Sequence, residues 1–332
     1  MRRAGNDRLS RAVDAALELS IGGSFTRVGS ALRRRLDRWD ALDGVDLHGK
    51  VFVMTGATSG LGLEAARRFA KMGATLVLIA RNADKAEVTC RELRHLACHD
   101  HVTFEVADMG DLDALRSAAP AILRTHPAVH VLVHNAGALD DVRQETPQGI
   151  ELTVGSQVVG PVLLTELLLP ALRAANGARV LWVSSGGMYG EPLRVDRLEM
   201  SADRYDGVAA YARAKRAQVT LAELYAERLA QDGVVVHAMH PGWADTPGVA
   251  RSLPVFRKVV GPLLRTPAEG ADTLVWLAVD EREVPVRSGL FWHDRKPRPA
   301  HRLASTERAD TPAERQRLWA WVRAKAQLTD TL

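Results

Sequence analysis

From Lys50 onward the chain alternates between two spacings of apolar residues. Short apolar runs recur at VFVMT (51–55), TLVLIA (75–80), VTFEV (102–106), VHVLVH (129–134), ARVLWVS (178–184), VVVHAMH (234–240) and GLFWH (289–293). Their length and β-branched content predict buried strands. Between them apolar residues fall three and four apart, which predicts helices. One spans 61–73 and stops at Gly73, a natural C-cap. Others span about 84–97, 111–125 and 149–175, the last with Pro161 and Pro170 as expected kinks. A further helix carries Tyr211 and runs to about Gln231. Strands that read as buried on both faces, each followed by a helix, predict an α/β, Rossmann-type doubly wound parallel sheet of about seven strands with helices on both faces. No linker interrupts 46–295, so this stretch reads as one domain.

Two segments flank it. Residues 1–45 form a basic leader in which Phe25, Val28, Leu32, Leu36 and Trp39 recur at helical spacing, with Arg33, Arg34, Arg35 and Arg38 off that stripe. The expectation is a helix that packs its stripe on the domain. The alternatives are a peripheral membrane contact through residues 9–42 or a partner contact. Residues 296–332 read as a tail that ends in the helix TPAERQRLWAWVRAKAQL.

Charge adds one point. The formal net charge of +4 is carried by residues 1–40, with nine arginines against five acids, and the rest of the chain balances. The body has no nucleic-acid footprint, and no nucleic-acid partner is expected. Two cysteines, Cys90 and Cys98, without a CxxC, imply no disulfide framework and a cytoplasmic setting. No apolar run reaches 18 residues, so no transmembrane helix is expected, and the N-terminus does not read as a signal peptide. HLACHDH (95–101) matches no standard zinc spacing, and no metal is expected.

The chemistry sits at strand ends. TGATSGLG (55–62) lies between strand one and helix one. Gly56, Gly60 and Gly62 permit a tight turn and close backbone approach, and the helix N-terminus behind them offers N–H groups to a pyrophosphate. Thr55, Ser59 and Leu61 belong to the same loop. Strand two ends at Ala80 and Arg81 instead of at the carboxylate that would bind a ribose, so Arg81 points to NADP, with NAD as the alternative. Asp108, past strand three, suits adenine's amino group or the cap of the next helix. Asn135, Ala136 and Gly137 follow strand four, Ser184 and Ser185 strand five, and Thr246 strand six. Tyr211 and Lys215 are one helical turn apart. A phenol near pKa 10 is a poor acid–base at neutral pH, and a neighbouring ammonium lowers that value. Tyr211 is thereby the candidate proton donor to a carbonyl oxygen, with Ser185 holding that oxygen.

TGATSGLG, HNAG (134–137), VSS (183–185), YARAK (211–215) and PG (241–242) together resemble the short-chain dehydrogenase/reductase superfamily over about 50–295. The resemblance implies an NAD(P)-dependent oxidoreductase acting on a carbonyl or alcohol. It implies Ser185 as the substrate-orienting serine, Tyr211 as acid–base, and Lys215 as the residue that binds the nicotinamide ribose and tunes Tyr211. Thr246 matches the threonine at the carboxamide, and Pro241 and Gly242 join the cofactor set. Tyr211 lies 26 positions after Ser185, a long spacing similar to that of the retinol-dehydrogenase-like branch; VSSGGM, HPGWADTPGV and DRKP resemble the subgroup labelled dehydrogenase/reductase family member 12. One position departs. Gln157, in QVVG (157–160), stands where the family has an asparagine that helps hold a proton-relay water. A cofactor-binding regulator with little turnover is therefore the rival reading, and a membrane-associated lipid-carbonyl reductase a third. Leu139, Tyr189, Trp243 and the 191–206 insert are expected to shape an apolar substrate pocket. The substrate and the oligomeric state are not legible.

Overall fold

The computed structural model describes residues 2–42 and 44–328; residues 1, 43 and 329–332, part of the expected leader and tail, lie outside the described residues. The strands are β1 (Val51–Thr55), β2 (Thr75–Ala80), β3 (Val102–Val106), β4 (Val131–His134), β5 (Arg179–Val183), β6 (Val235–Met239), β7 (Leu290–His293) and β8 (Lys296–Arg298). They form one sheet in the order β3-β2-β1-β4-β5-β6-β7-β8. β1 to β7 are parallel, and β8 pairs antiparallel with β7. The strand order reverses between β1 and β4, which places a ligand crevice beyond their carboxyl ends.

The seven expected strands all form, and β8 is an addition. It is short and polar, and arises because Asp294 and Arg295 take positive φ (52° and 55°) in a two-residue hairpin turn. Its Pro297 is tolerated on an edge. Strand interiors are apolar because both faces are covered. Phe52, Val53 and Met54 are at most 1% exposed, and burying a side chain of this size contributes about 1.5–3 kcal/mol. One face packs against helices Gly60–Lys71, Ala83–Ala97 and Pro267–Val279; the other packs against Leu112–Thr125, Leu152–Ala174 and Gly207–Arg228.

Helix Leu152–Ala174 is long and apolar, with mean hydropathy 1.6 over its most apolar window, but 78% of that window is buried inside the fold. Its irregularity lies just ahead of Pro161, the first of the two expected kink positions. A π turn covers Gly155–Val159, Pro161 sits in the first turn of the regular α-helical segment Gly160–Ala174, and Pro170 lies within that helix. A proline costs least where the preceding turn already lacks the ordinary bond.

The leader folds as helices Arg2–Glu18, Ile21–Phe25 and Arg27–Leu36 and packs on the domain, though not through the expected stripe. Phe25 is 2% exposed, but Val28 and Leu32 are 56% and 36% exposed. The buried face of the third helix is Gly29, Ser30 and Arg33. Charge explains the rotation. Arg33 reaches Asp294 (2.7 Å), Asp14 (2.7 Å) and Glu18 (2.6 Å). Asp294 also takes two hydrogen bonds from Arg265, at 2.6 and 2.9 Å. Burial works to raise the pKa of Asp294, but Arg265 and Arg33 outweigh it and hold the carboxyl below its ordinary value. At the other end, helix Pro312–Lys325 buries Leu318 and Val322 in the core, and its Glu314 accepts a hydrogen bond from Val195 N (2.7 Å).

Candidate active site

The loop after β1 is built for close approach. Gly56 has φ +67°, and a Cβ there would lie 2.7 Å from Ala136 Cα. A Cβ on Gly62 would lie 2.3 Å from Gly56 O. Only glycine fits both positions. Thr55 and Asn135 brace this loop. Thr55 Oγ1 accepts from Asn135 N (3.1 Å) and Ala136 N (3.0 Å), and Asn135 Nδ2 donates to Gly56 O (2.8 Å). Ser59 precedes helix Gly60–Lys71, is exposed, and makes no side-chain cap bond. The helix thus opens on backbone donors and the positive end of its dipole, which suits a pyrophosphate. Leu61 packs on the far side, where a Cβ on Gly270 would meet it at 2.5 Å.

At the rim, Arg81 is exposed and lies 4.0 Å from Asp108 Oδ2. Asp108 Oδ1 accepts from Gly110 N (2.8 Å). The next helix is capped by Asp111 instead, which accepts from Asp113 N and Ala114 N, so the capping alternative for Asp108 does not hold. Pro241, Gly242 and Thr246 close the opposite side. Gly242 has φ +75°, and Thr246 Oγ1 caps helix Pro247–Ser252 by accepting from Val249 N (3.2 Å). A Cβ on Gly60 would lie 3.5 Å from the Thr246 side chain, so the two cofactor-side loops meet.

Tyr211 and Lys215 project from helix Gly207–Arg228, whose start is fixed by Asp206 accepting from Ala209 N (3.0 Å). The alanine-rich sequence favours helix and lets that helix lie close to β5 and β6. Lys215 Nζ is 5.2 Å from the centroid of the Tyr211 ring. Ser185, half-buried, begins the short turn Gly186–Gly190 and stands near enough to the Tyr211 phenol to work against the effect of its burial. Ser184 is 2% exposed and ties β5 to the helix by donating to Lys215 O (2.8 Å). Of the two serines, Ser185 alone faces the phenol.

The electrostatics depart from the expected phenol–ammonium pairing. Lys215 is 2% exposed, and its ammonium donates to Val183 O (2.9 Å) and Gln218 Oε1 (3.2 Å). Burial alone lowers its pKa to about 7. Burial raises the Tyr211 pKa above its ordinary 10, partly offset by Ser185. With no carboxylate at hand, each group is driven towards its neutral form. Gln157 is 1% exposed and turned aside: its Nε2 donates to Ala138 O (2.6 Å), and its Oε1 is buried without a partner. Gly137 lies against both, a Cβ there falling 2.9 Å from Gln157 Oε1 and 3.2 Å from Lys215 Nζ.

Two groups escaped sequence reading. Gln218, three residues after Lys215, shares its helix face, a signal the spacing carried. Phe25 had no such signal in this role. Its carbonyl accepts from Trp243 N (2.8 Å), and a Cβ on Gly186 would come within 2.4 Å of its ring. It wedges between the Ser185 turn and the Pro241–Trp243 turn. Tyr189, expected in the pocket wall, is 5% exposed beneath Arg302, whose guanidinium carbon is 4.5 Å from its ring centroid. The 191–206 insert buries Leu193 and Leu198, and Val195 turns to Glu314 of the C-terminal helix. Leu139 and Trp243 remain half-buried at the crevice side. A separate cleft of about 750 Å³, lined by Trp39, Trp276, Arg282 and Arg295 among others, includes none of the residues around Tyr211.

The glycine cradle, the free helix end and the Ser185–Tyr211–Lys215 cluster fit a nicotinamide dinucleotide and a proton-transferring phenol in one crevice. Residues 50–254 match the short chain dehydrogenase family. A human protein named dehydrogenase/reductase SDR family member 12 is 36% identical over 276 residues, 82% of this chain and 85% of that protein. Human retinol dehydrogenase 12 is 33% identical over 277 residues, 83% of this chain and 85% of its own length. A crystal structure of a Mycobacterium paratuberculosis protein superposes with a TM-score of 0.70 at 25% identity, covering 89% of this chain and 99% of that one.

Proposed function

The chain belongs to the short-chain dehydrogenase family and is an NAD(P)-dependent oxidoreductase, and on that premise we propose that it interconverts an apolar carbonyl compound and its alcohol with NADPH as the preferred cofactor. The observation that carries this reading is the meeting of Ser185, Tyr211 and Lys215 beside Gly137. Residues 55–62, Arg81, Asp108, residues 135–137, Pro241, Gly242 and Thr246 would hold the cofactor, which when bound supplies or accepts the hydride. Tyr211 gives its hydroxyl proton to the carbonyl oxygen in reduction and takes it back in oxidation. Ser185 donates a hydrogen bond to the same oxygen. Lys215 holds the cofactor ribose and, when charged, favours the phenolate. Two observations support NADPH: the exposed Arg81, and the lack of a carboxylate at the end of β2. The apolar substrate is supported by Trp243 stacked edge-on with Phe256 (5.2 Å between centroids), and by relatives named retinol dehydrogenases.

The test is NADPH oxidation against a panel of aldehydes and ketones. Tyr211→Phe should lower turnover by about 10²–10⁴-fold while NADPH binding stays near wild type. Full turnover by a folded Tyr211→Phe protein would refute the assignment. A membrane-associated setting is a second reading, favoured by exposed Val28 and Leu32 beside half-exposed Arg34. Sedimentation with anionic liposomes tests it, and failure to sediment removes it.

A further inference from the structure

A buried lysine with no counter-ion needs something to hold it, and the chain supplies this from its own helix. Gln218 is 1% exposed. Its Oε1 accepts from Lys215 Nζ (3.2 Å), and its Nε2 donates to the main-chain carbonyl of Gln157 (2.7 Å). One carboxamide therefore spans the whole gap between the ammonium and that carbonyl. The carbonyl is available for a local reason. In an α-helix it would accept from the residue four positions on, and that residue is Pro161, which has no N–H. The π turn Gly155–Val159 carries Gln157 to this point. The Gln157 side chain does not fill the gap, because it donates to Ala138 O instead.

We propose that Gln218 is the positioning residue for Lys215, a fixed carboxamide that ties the ammonium to the Gln157 carbonyl. Both of its hydrogen bonds are buried, where an unmade bond is costly, so the amide cannot turn without losing both. Its carbonyl dipole points at Nζ and favours the charged lysine. The other groups facing Nζ are the Tyr211 ring on the same helix, the Val183 carbonyl on β5, and Gly137 with Gln157 Oε1 from the far side. No carboxylate or second cation contributes to its titration. Among the described residues, Gln218 is the side chain whose acceptor lies within hydrogen-bond distance of the ammonium.

The role of Lys215 in holding the cofactor belongs to the function proposed above, so the test separates the two. The chain has seven lysines, few enough for NMR of the full-length protein labelled with ¹³C-lysine. Loss of one signal in Lys215→Met assigns it. Titration of the Lys215 ε-carbon should show a midpoint near 7 in the wild type. Gln218→Leu removes an acceptor that favours the charged form and should lower the midpoint by about one pH unit. Gln218→Glu, of the same shape with a negative charge, should raise it by about one unit or more. NADPH dissociation constants, read by fluorescence, should rise in Gln218→Leu. Midpoints unchanged in both variants would overturn the proposal. Shifted midpoints with unchanged NADPH affinity would uphold Gln218 and count against Lys215 as a cofactor-binding residue. Melting near wild type establishes that each variant is folded, and Gln218→Glu alone decides the matter if the leucine variant does not fold.

Discussion

Lys215→Met should flatten the dependence of the protein's stability on pH while it disables the site. In the fold the lysine titrates near 7, against an ordinary 10.5. Between those values the unfolded chain holds a proton that the folded chain lacks. Stability therefore rises with pH from about 7 to about 10.5, and below 7 the full penalty of a buried charge applies. Each pH unit well inside the window is worth about 1.4 kcal/mol, and since the folded lysine is half protonated at pH 7, from pH 7 to pH 9 the wild type should gain about 2.3 kcal/mol that the methionine variant, with nothing to titrate there, does not. Methionine has a similar length and leaves Val183 O and Gln218 Oε1 without their donor, at roughly 1–3 kcal/mol each, so the absolute difference at one pH is a poor test. The slope is a good one, because those losses do not depend on pH. Thermal melts of both proteins at half-unit steps from pH 6 to 9.5 should show the variant's relative standing falling by several degrees, at roughly 2 °C per kcal/mol for a chain this long. A melting-temperature difference that is flat across that range would mean Lys215 is charged throughout, and the account of its burial would fail.

Three further outcomes follow from the same geometry. NADPH should bind roughly tenfold more tightly than NADH, and Arg81→Ala should erase most of that ratio, since a charge-assisted contact to phosphate contributes about 1.5–3 kcal/mol; equal dissociation constants in the wild type, by fluorescence titration, would remove the cofactor preference. Deleting residues 1–45, or Phe25→Ala alone at about 3–5 kcal/mol, should lower the melting temperature and slow turnover together, and a deletion that melts like the full chain would show that the leader is not part of the fold. Gln157→Asn should bring no gain in turnover in steady-state assays, because Gln218 already occupies the space beside Lys215; a clear increase would mean that space is open to water.

The sheet was legible because its strands are buried on both faces, so that VFVMT and ARVLWV announce themselves without knowledge of their neighbours. The crevice was legible for the same reason: Gly56, Gly62, Tyr211 and Lys215 are constrained by local turns and by one helix. What the chain hid depends on long-range pairing. The stripe from Phe25 to Trp39 is a correct count of apolar positions, yet the helix turns Arg33 inward because Asp294, 261 residues away, awaits it. β8 exists because of the turn that presents Asp294. Tyr189 looked like a pocket residue by its place after β5, and Arg302 from the tail covers it. The preferences of the lysine and the phenol inverted because helical spacing reports which side chains share a face and not how dry that face is.

The wedge of Phe25 also bears on the order in which the protein can be completed during synthesis. Ser24, its neighbour, accepts hydrogen bonds through its carbonyl from Arg265 (3.0 Å) and from His293 (3.2 Å), the latter 269 positions later in the chain. The leader leaves the ribosome before the strands it packs against. Until β7 and the turn at Asp294 emerge, Arg33 lacks its buried acid and Phe25 lacks part of its walls. The turns that carry Ser185 and Gly242 rest on that wedge, so this centre is finished only when the leader has met β7 and the turn at Asp294. A nascent chain holding the complete glycine loop and the Tyr211 helix is still an unfinished catalyst.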